Sequence, residues 1–331
     1  MASSADVAAR AGVSRSTVSQ IMNGHGHRFK PEMVEHVRQV AQELGYRPSV
    51  AGRTLARGTS DIVITLIPNI TFGPRLRELI DRITAELAQA GKTNLLRLAS
   101  SDDTLEDAIL GLRPVGVWSV APLSPEQRAR LATNNVPVIE QSRELQVAID
   151  AEIGALQAAH LAETGYTGVA VAMPVDQREQ PFATARERGV VEWCAKNGVD
   201  ALPTLHLNME RGTASETAFL PPHGGRTGFA AYNDEAALAV LGAARRAGKR
   251  VPEDIGVIGV DNSTVAHVSE PSLTTIDIDV EYSAHEIVKA LLLGPQSMPE
   301  QPLDIVKKQI TVVPGESTSR MRNQGESLFR S

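Results

Sequence analysis

ADVAARAGVSRSTVSQIMN, residues 5–23, is patterned as two short helices joined by a tight turn. Ser4 stands where an N-cap belongs, and Asp6 suits the positive end of a helix dipole. Val7, Ala8 and Ala11 give the first helix a compact inward face. Gly12 follows at the place of a left-handed C-cap, and Ser14 can cap the second helix. Val18, Ile21 and Met22 form the apolar stripe of that second helix. This leaves Arg15, Ser16, Thr17, Ser19 and Gln20 facing outward. A short outward face of Arg, Ser and Gln suits hydrogen bonding to phosphates and base edges in a DNA major groove. A small helical hairpin with no nucleic-acid role shares the same pattern.

The next thirty residues of the chain narrow that choice. KPEMVEHVRQVAQELG, residues 30–45, is a third helix, with Pro31 in its first turn and Met33, Val34, Val37, Val40, Ala41 and Leu44 inward. Gly45 ends it and Tyr46 closes over the small core. The next segment, RPSVAGRTLARGTS, is basic, with Leu55 set between Arg53 and Arg57.

With DVAARAGVSRSTVS, LGYRPS and AGRTLA in this order, the chain resembles the lactose-repressor (LacI/GalR) family of bacterial transcription regulators. The resemblance implies that the second helix reads the major groove through Arg15, Ser16 and Gln20. Ser14, Thr17, Ser19 and Asn23 would then hold phosphates or the turn. Ser4, Arg28, Tyr46 and Arg53 complete the expected DNA-contacting set. It also implies that the basic segment folds into a hinge helix on DNA, with Leu55 wedged between base pairs at the centre of a pseudopalindrome. Gly52 stands in that hinge where Ala is usual, a change worth roughly 1 kcal/mol against helix formation. Gln20 replaces the common Arg, so operator preference is expected to differ from that of well-known members. Lys30 opens the third helix where a Ser cap is common.

Length and charge agree with this division. A chain of 331 residues is too long for one ordinary core. Residues 1–60 carry eight Lys and Arg against four Asp and Glu, a net +4. The whole chain is −6, so the remainder is −10. A basic head on an acidic body localises phosphate contact to the N-terminal part. Cys194 is the only cysteine, which leaves no intramolecular disulfide framework and makes a reducing compartment the default. There is no run of 18 apolar residues and no basic start followed by an apolar core. A bacterial cytoplasmic protein with no membrane partner is expected.

From Asp61 the texture becomes β/α alternation. Strands are expected at 61–68, 93–99, 115–120, 136–140, 168–173, 204–207, 228–232, 255–260 and 273–278, with a last extended segment in 304–313. Helices are expected at 75–90, 105–110, 125–133, 151–164, 181–197, 234–248 and 282–293. The expected fold class is therefore an all-α helix-turn-helix headpiece and hinge helix joined to an α/β body of two doubly wound parallel-sheet halves. The resemblance to the family, strongest at AAYNDEAALAVLGAARRAGKRVPEDIGVIGVDNSTVA and EPSLTTIDID, implies a periplasmic-binding-protein-like body. The expected domains are a headpiece at 1–47, hinge at 48–60, body at 61–318 and tail at 319–331. The body divides into a first half of about 61–145 and 277–296 and a second of about 146–276 and 300–318. The chain passes between halves near 144–147, 275–277 and 294–303.

Ligands of open parallel sheets bind beyond the carboxyl ends of the strands. Asn233 and Asp234, and Asp261 and Asn262, follow two such strands. Arg186 precedes Gly189 by three residues, as the ligand-binding arginine does in the family. A guanidinium with carboxamides or carboxylates suits a polyhydroxylated or anionic ligand. The expected effector contacts are Phe72, Arg186, Tyr232, Asn233 and Asp261, although Asn233 is also a plain N-cap and Tyr232, like Trp118, also suits the core. Residues 68–72 should form the opposite lip, but NITFGPRLREL lacks the paired aromatics usual there, and Gly315 in PGEST stands where the family usually has Arg.

The rival class is an enzyme. No GxSxG, P-loop, paired Cys or HExxH spacing occurs, and the eight histidines do not cluster at ligand spacing. No catalytic residue, cofactor or metal is expected. The expected partners are double-stranded operator DNA, a small polar effector such as a sugar, and a second copy of the chain. The alternative is a DNA-binding regulator whose body serves dimerisation or partner binding without small-molecule sensing. The tail SRMRNQGESLFRS lacks a sustained leucine heptad, which favours dimer over tetramer.

Overall fold

The computed structural model describes residues 2–46, 54, 58–67, 69–71, 73–98, 105–140, 142–209, 224–294 and 307–318. Three helices build the headpiece: α1 (Ser4–Ala11), α2 (Arg15–Met22) and α3 (Pro31–Glu43). Val7, Val18, Ile21 and Val37 are its fully buried centre. The N-cap of α1 is Ser3 rather than Ser4, because Asp6 lies three residues after Ser3. Ser3 Oγ accepts the Asp6 N–H at 3.3 Å, and the Asp6 carboxylate accepts the Ser3 N–H at 2.7 Å. Ser4 is instead the first helical residue. Gly12 takes the left-handed conformation, φ 65°, and lets the chain turn sharply into α2. Met33, expected inward, is 38% exposed, since the inward stripe of α3 passes through Val34 beside Gly26 instead.

Of residues 47–57 only Thr54 is described. It is helical, and its carbonyl accepts the Gly58 N–H at 2.8 Å. Arg53 and Leu55 lie outside the described residues.

The first lobe holds β1 (Ile62–Ile67), β2 (Thr93–Leu98), β3 (Gly116–Ser119) and β4 (Val138–Glu140), all parallel in the order β2-β1-β3-β4. Helices α4 (Pro74–Gln89), α5 (Leu105–Gly111) and α6 (Pro125–Thr133) connect them. Alternation along β1 sends Val63 and Ile67 toward Ile80, Ile83 and Leu87 on α4, and Ile64 and Leu66 toward Ile109 and Leu131. Edge strand β2 breaks the expectation of burial on both faces: Leu95, Leu96 and Leu98 are exposed.

The second lobe is built on β5 (Gly168–Pro174). On one side lie β8 (Thr227–Ala231) and β9 (Ile255–Ile258); on the other, β6 (Asp200–Ala201) and β7 (Leu205–Leu207) pair with it in succession. Val169, Val171 and Met173 face α7 (Arg143–Glu163) and α8 (Gln180–Asn197). Ala170 and Ala172 face α9 (Asp234–Arg246) and the short α10 (Thr264–Val268), which sequence patterning missed. Helix α7 begins eight residues before the expected 151. Ser142 caps it, accepting the Leu145 N–H at 3.3 Å, and no breaker interrupts the chain up to Glu163. The chain is therefore already in α7 at Arg143, before the expected passage at 144–147.

Strands β10 (Thr275–Ile278) and β11 (Ile310–Val313) form an antiparallel ribbon that starts beside β9 and leads into α11 (Glu281–Leu293) under the first sheet. Most of the third expected passage, 294–303, lies outside the described residues. Gly315 has a clear role: a Cβ there would sit 2.4 Å from the Leu273 carbonyl carbon, so only glycine lets PGEST lie against the Leu273–Thr274 backbone. Ser317 then closes on β9, donating its hydroxyl to the Val257 carbonyl at 2.6 Å.

Candidate ligand cavity and nucleic-acid interface

A cavity of about 250 Å³ lies between the lobes, where the carboxyl ends of the two sheets face each other. Its construction begins with two glycines. A Cβ on Gly154 of α7 would lie 2.0 Å from the Arg186 carbonyl oxygen, and one on Gly189 of α8 would lie 1.9 Å from that of Ala151. The two helix backbones therefore touch, and Asp150, one turn before Gly154, meets Arg186, one turn before Gly189. Arg186 Nε donates to Asp150 Oδ1 at 2.9 Å, Nη1 donates to the Tyr232 carbonyl, and the guanidinium stacks 4.7 Å from the Tyr232 ring centroid. Gln146, one turn earlier on α7, donates to Asp150 Oδ2 at 2.8 Å. Burial pushes the Asp150 carboxyl upward, and the adjacent guanidinium works against it. Burial acts against the charge of Arg186 too, but Asp150, Tyr232 and Asp261 outweigh it and strengthen that charge.

Arg186, Tyr232, Asn233 and Asp261 all line this cavity. Asn233 Oδ1 is committed as the N-cap of α9, accepting the Ala236 N–H at 2.8 Å. Asp234 is buried at 1% exposure and is a brace, not a wall. Its carboxylate accepts from Ser263 N–H and Oγ–H and from Thr275 Oγ1–H, tying the ends of β8, β9 and β10 together. Asp261 has the left-handed φ of 106°, a conformation rare outside glycine, and Asn262 follows at 47°. Among the described residues, no side chain or backbone group donates a hydrogen bond to the Asp261 carboxylate. Burial drives its pKa up to about 7, and Arg186 opposes that push. Phe72 lies outside the described residues, while Ile70 and Thr71 from the expected lip do line the cavity.

Among the cavity residues that sequence patterning missed are Gln146, Asp150 and Arg75. The first two sit on one stripe of α7 with Gly154 and Gln157, at spacings of four, four and three. That signal was hidden by starting the helix at 151. Arg75, near the start of α4, donates to Glu78 and to Asp277 on β10, and Asn262 Nδ2 also donates to Asp277 at 3.2 Å. Among the described residues, the buried Arg75 Nε has no hydrogen-bond partner.

The headpiece presents a different surface. Ser14 Oγ accepts the Thr17 N–H at 3.0 Å and caps α2. Arg15 and Ser16 are exposed, and Thr17, Ser19 and Gln20 are half-buried. Gln20 donates to Ser16 at 3.2 Å, and Asn23 donates to Ser19 at 3.2 Å. Arg28 is exposed, while Tyr46 packs against the headpiece core.

Two family models match the chain: "Bacterial regulatory proteins, lacI family" over residues 5–49, and "Periplasmic binding protein-like domain" over residues 158–318. Residues 5–49 are thus a LacI-family DNA-binding domain, and residues 158–318 a periplasmic-binding-protein-like domain. Among its relatives, the ribose operon repressor of Halalkalibacterium halodurans is 26% identical over 325 residues, covering 92% of this chain and 93% of that one. The ribose operon repressor of Bacillus subtilis is 29% identical over 325 residues, covering 93% of each. The crystal structure of the lac repressor dimer bound to operator and an anti-inducer superposes with a TM-score of 0.76 at 22% identity. It covers 96% of this chain and 99% of that one. The LacI-family fold thus accounts for both the headpiece and the two-lobed body. No described helix is long and apolar enough to cross a membrane.

Proposed function

We propose that the protein is a bacterial cytoplasmic transcriptional repressor that binds a pseudopalindromic operator as a dimer. A small sugar-like metabolite in the interlobe cavity would control it. One observation carries the proposal. A capped helix with Arg15, Ser16 and Gln20 on its outer face is followed in the same chain by a two-lobed body with a polar cavity at the junction. Arg15, Ser16 and Gln20 would read bases, while Ser14, Thr17, Ser19, Asn23 and Arg28 would hold the backbone; Ser4 and Tyr46 would be nearby supports. Arg53 and Leu55 belong to the proposed hinge. Leu95, Leu96 and Leu98, exposed on edge strand β2, supply an apolar surface for a second copy of the chain. Ligand bound across the lobes would fix their relative orientation and so bias whether paired hinges order on DNA.

A body without sensing is disfavoured by the cavity itself, where among the described residues the Arg75 Nε–H has no hydrogen-bond partner and nothing donates to the Asp261 carboxylate. No role as an enzyme is proposed, since the relatives above are named as regulators of transcription. Selection of operators from a randomised pool tests the proposal. Enrichment of a two-fold symmetric site, with affinity falling steeply as salt rises, is expected. Recovery of no symmetric consensus would overturn it.

A further inference from the structure

We propose that a groove on the second lobe, separate from the interlobe cavity, binds the phosphate group of a small phosphorylated metabolite. The groove has a volume of about 440 Å³ and shares no lining residue with the cavity. Arg143 and Val147 line it from α7, Gln180, Thr184 and Arg188 from α8, and Gln177 from the turn between β5 and α8. Two guanidiniums, two carboxamides and a hydroxyl thus share one recess, and among the described residues no carboxylate lines it.

What these donors already hold separates the two sites. In the interlobe cavity Arg186 is held by Asp150, and Arg75 by Asp277 and Glu78. In the groove, the side chains of Arg143, Gln177 and Thr184 make no hydrogen bond or ion pair among the described residues. Arg188 has only Glu192 at 3.7 Å, across one turn of exposed helix, a pair worth little. Gln180 donates to the Pro174 carbonyl at 3.0 Å. The neighbouring acids are engaged elsewhere. Asp176 accepts from Arg178, Glu144 from the Ser142 hydroxyl at 2.9 Å, and Glu187 from the Thr204 hydroxyl. Burial pushes the Glu179 carboxyl upward, and Thr71 donates to it from the first lobe.

A lone carboxylate would satisfy one of the two guanidiniums. A phosphate monoester carries about −1.5 to −2 charges at neutral pH and three acceptor oxygens, which matches both cations and leaves acceptors for Thr184 and Gln177. The volume lies within the roughly 300–1,000 Å³ of small-molecule sites, so the organic part of an ester fits beside its phosphate. An occupant would clamp α7 to α8, the two helices that also carry Asp150 and Arg186.

The experiment is a calorimetric and thermal-shift titration of the full-length protein with inorganic phosphate and with glycerol phosphate, chloride matching the ionic strength. Both probes are expected to bind, the ester more tightly. Arg143→Gln and Arg188→Gln should each weaken binding by about tenfold or more. Both side chains are exposed, so the unliganded melting temperature should hold. Arg245→Gln, at an exposed arginine on α9, should leave binding unchanged. No binding of either probe, binding that survives both groove substitutions, or equal losses with Arg245→Gln would overturn the proposal. Inorganic phosphate bound with the ester excluded would make the occupant a free anion and overturn its assignment to a metabolite. Each of these results leaves the interlobe effector reading untouched.

Discussion

Arg15 on α2 and Arg186 on α8 are the same residue put to opposite uses. Arg15 is exposed and makes no hydrogen bond or ion pair among the described residues. Arg186 is 12% exposed, with its Nε on Asp150, its Nη1 on a backbone carbonyl and its face on Tyr232. A side chain that must adapt to base edges and phosphates gains from being uncommitted until DNA arrives. One that must shape a ligand cavity has to be fixed beforehand, because a loose first contact forfeits part of the binding energy to ordering. The difference teaches where each function's stability cost lies: in the complex for the headpiece, in the folded body for the cavity.

The comparison can be broken most forcefully at Arg186. Arg186→Ala leaves Asp150 buried without its cation and is expected to destabilise the body by about 3–5 kcal/mol, read by urea denaturation. It should also abolish ligand-induced thermal shifts. Next comes Gly154→Ala, whose added methyl would collide with the backbone carbonyl of Arg186. A loss of about 1–3 kcal/mol in the same denaturation is expected, together with weakened ligand binding, since the helices must part. Arg15→Ala should leave melting unchanged. It should remove about 1–3 kcal/mol of discrimination at one base position, visible as a flattened column when operators are selected from a randomised pool. A uniform loss over all sequences would instead place Arg15 on phosphate.

A further effect is on pH. The carboxyl of Asp261 titrates near 7 in the fold against an ordinary 3.8, so the proton is held more tightly in the folded state. For an acid raised in this way, the stability contribution is present at low pH and is lost as pH climbs from the ordinary value through about 7. Asp261→Asn should therefore gain on the wild type by about 2–3 kcal/mol between pH 5 and pH 8, in paired urea titrations.

The two regions also differed in how much the sequence revealed. Headpiece elements follow from contacts three or four residues apart, so capping, Gly12 and the outward face of α2 were legible. Of the two slips, Ser4 for Ser3 as cap is a single-residue shift that the partner Asp6 could have settled, and Met33, expected inward, is exposed. In the body, β/α alternation located nearly every strand, the rule for strand ends pointed to Asn233 and Asp261, and the family resemblance pointed to Arg186. Asp150 and Arg75 were not legible, because their partners lie 36 and 202 residues away. Nor does local patterning show that Asp150 pairs with Arg186. The exposure of β2 was hidden for a similar reason: an apolar strand at a sheet edge has the same composition as one at its centre.

The central claim is that the fixed cavity governs the adaptable helix, and one measurement addresses it directly. The affinity of the full-length protein for its selected operator would be taken by fluorescence anisotropy, with and without a neutral monosaccharide that raises its melting temperature. A change of roughly 5–150-fold is expected, the usual range for coupled sites. Operator affinity that stays the same while the sugar is demonstrably bound would contradict the claim.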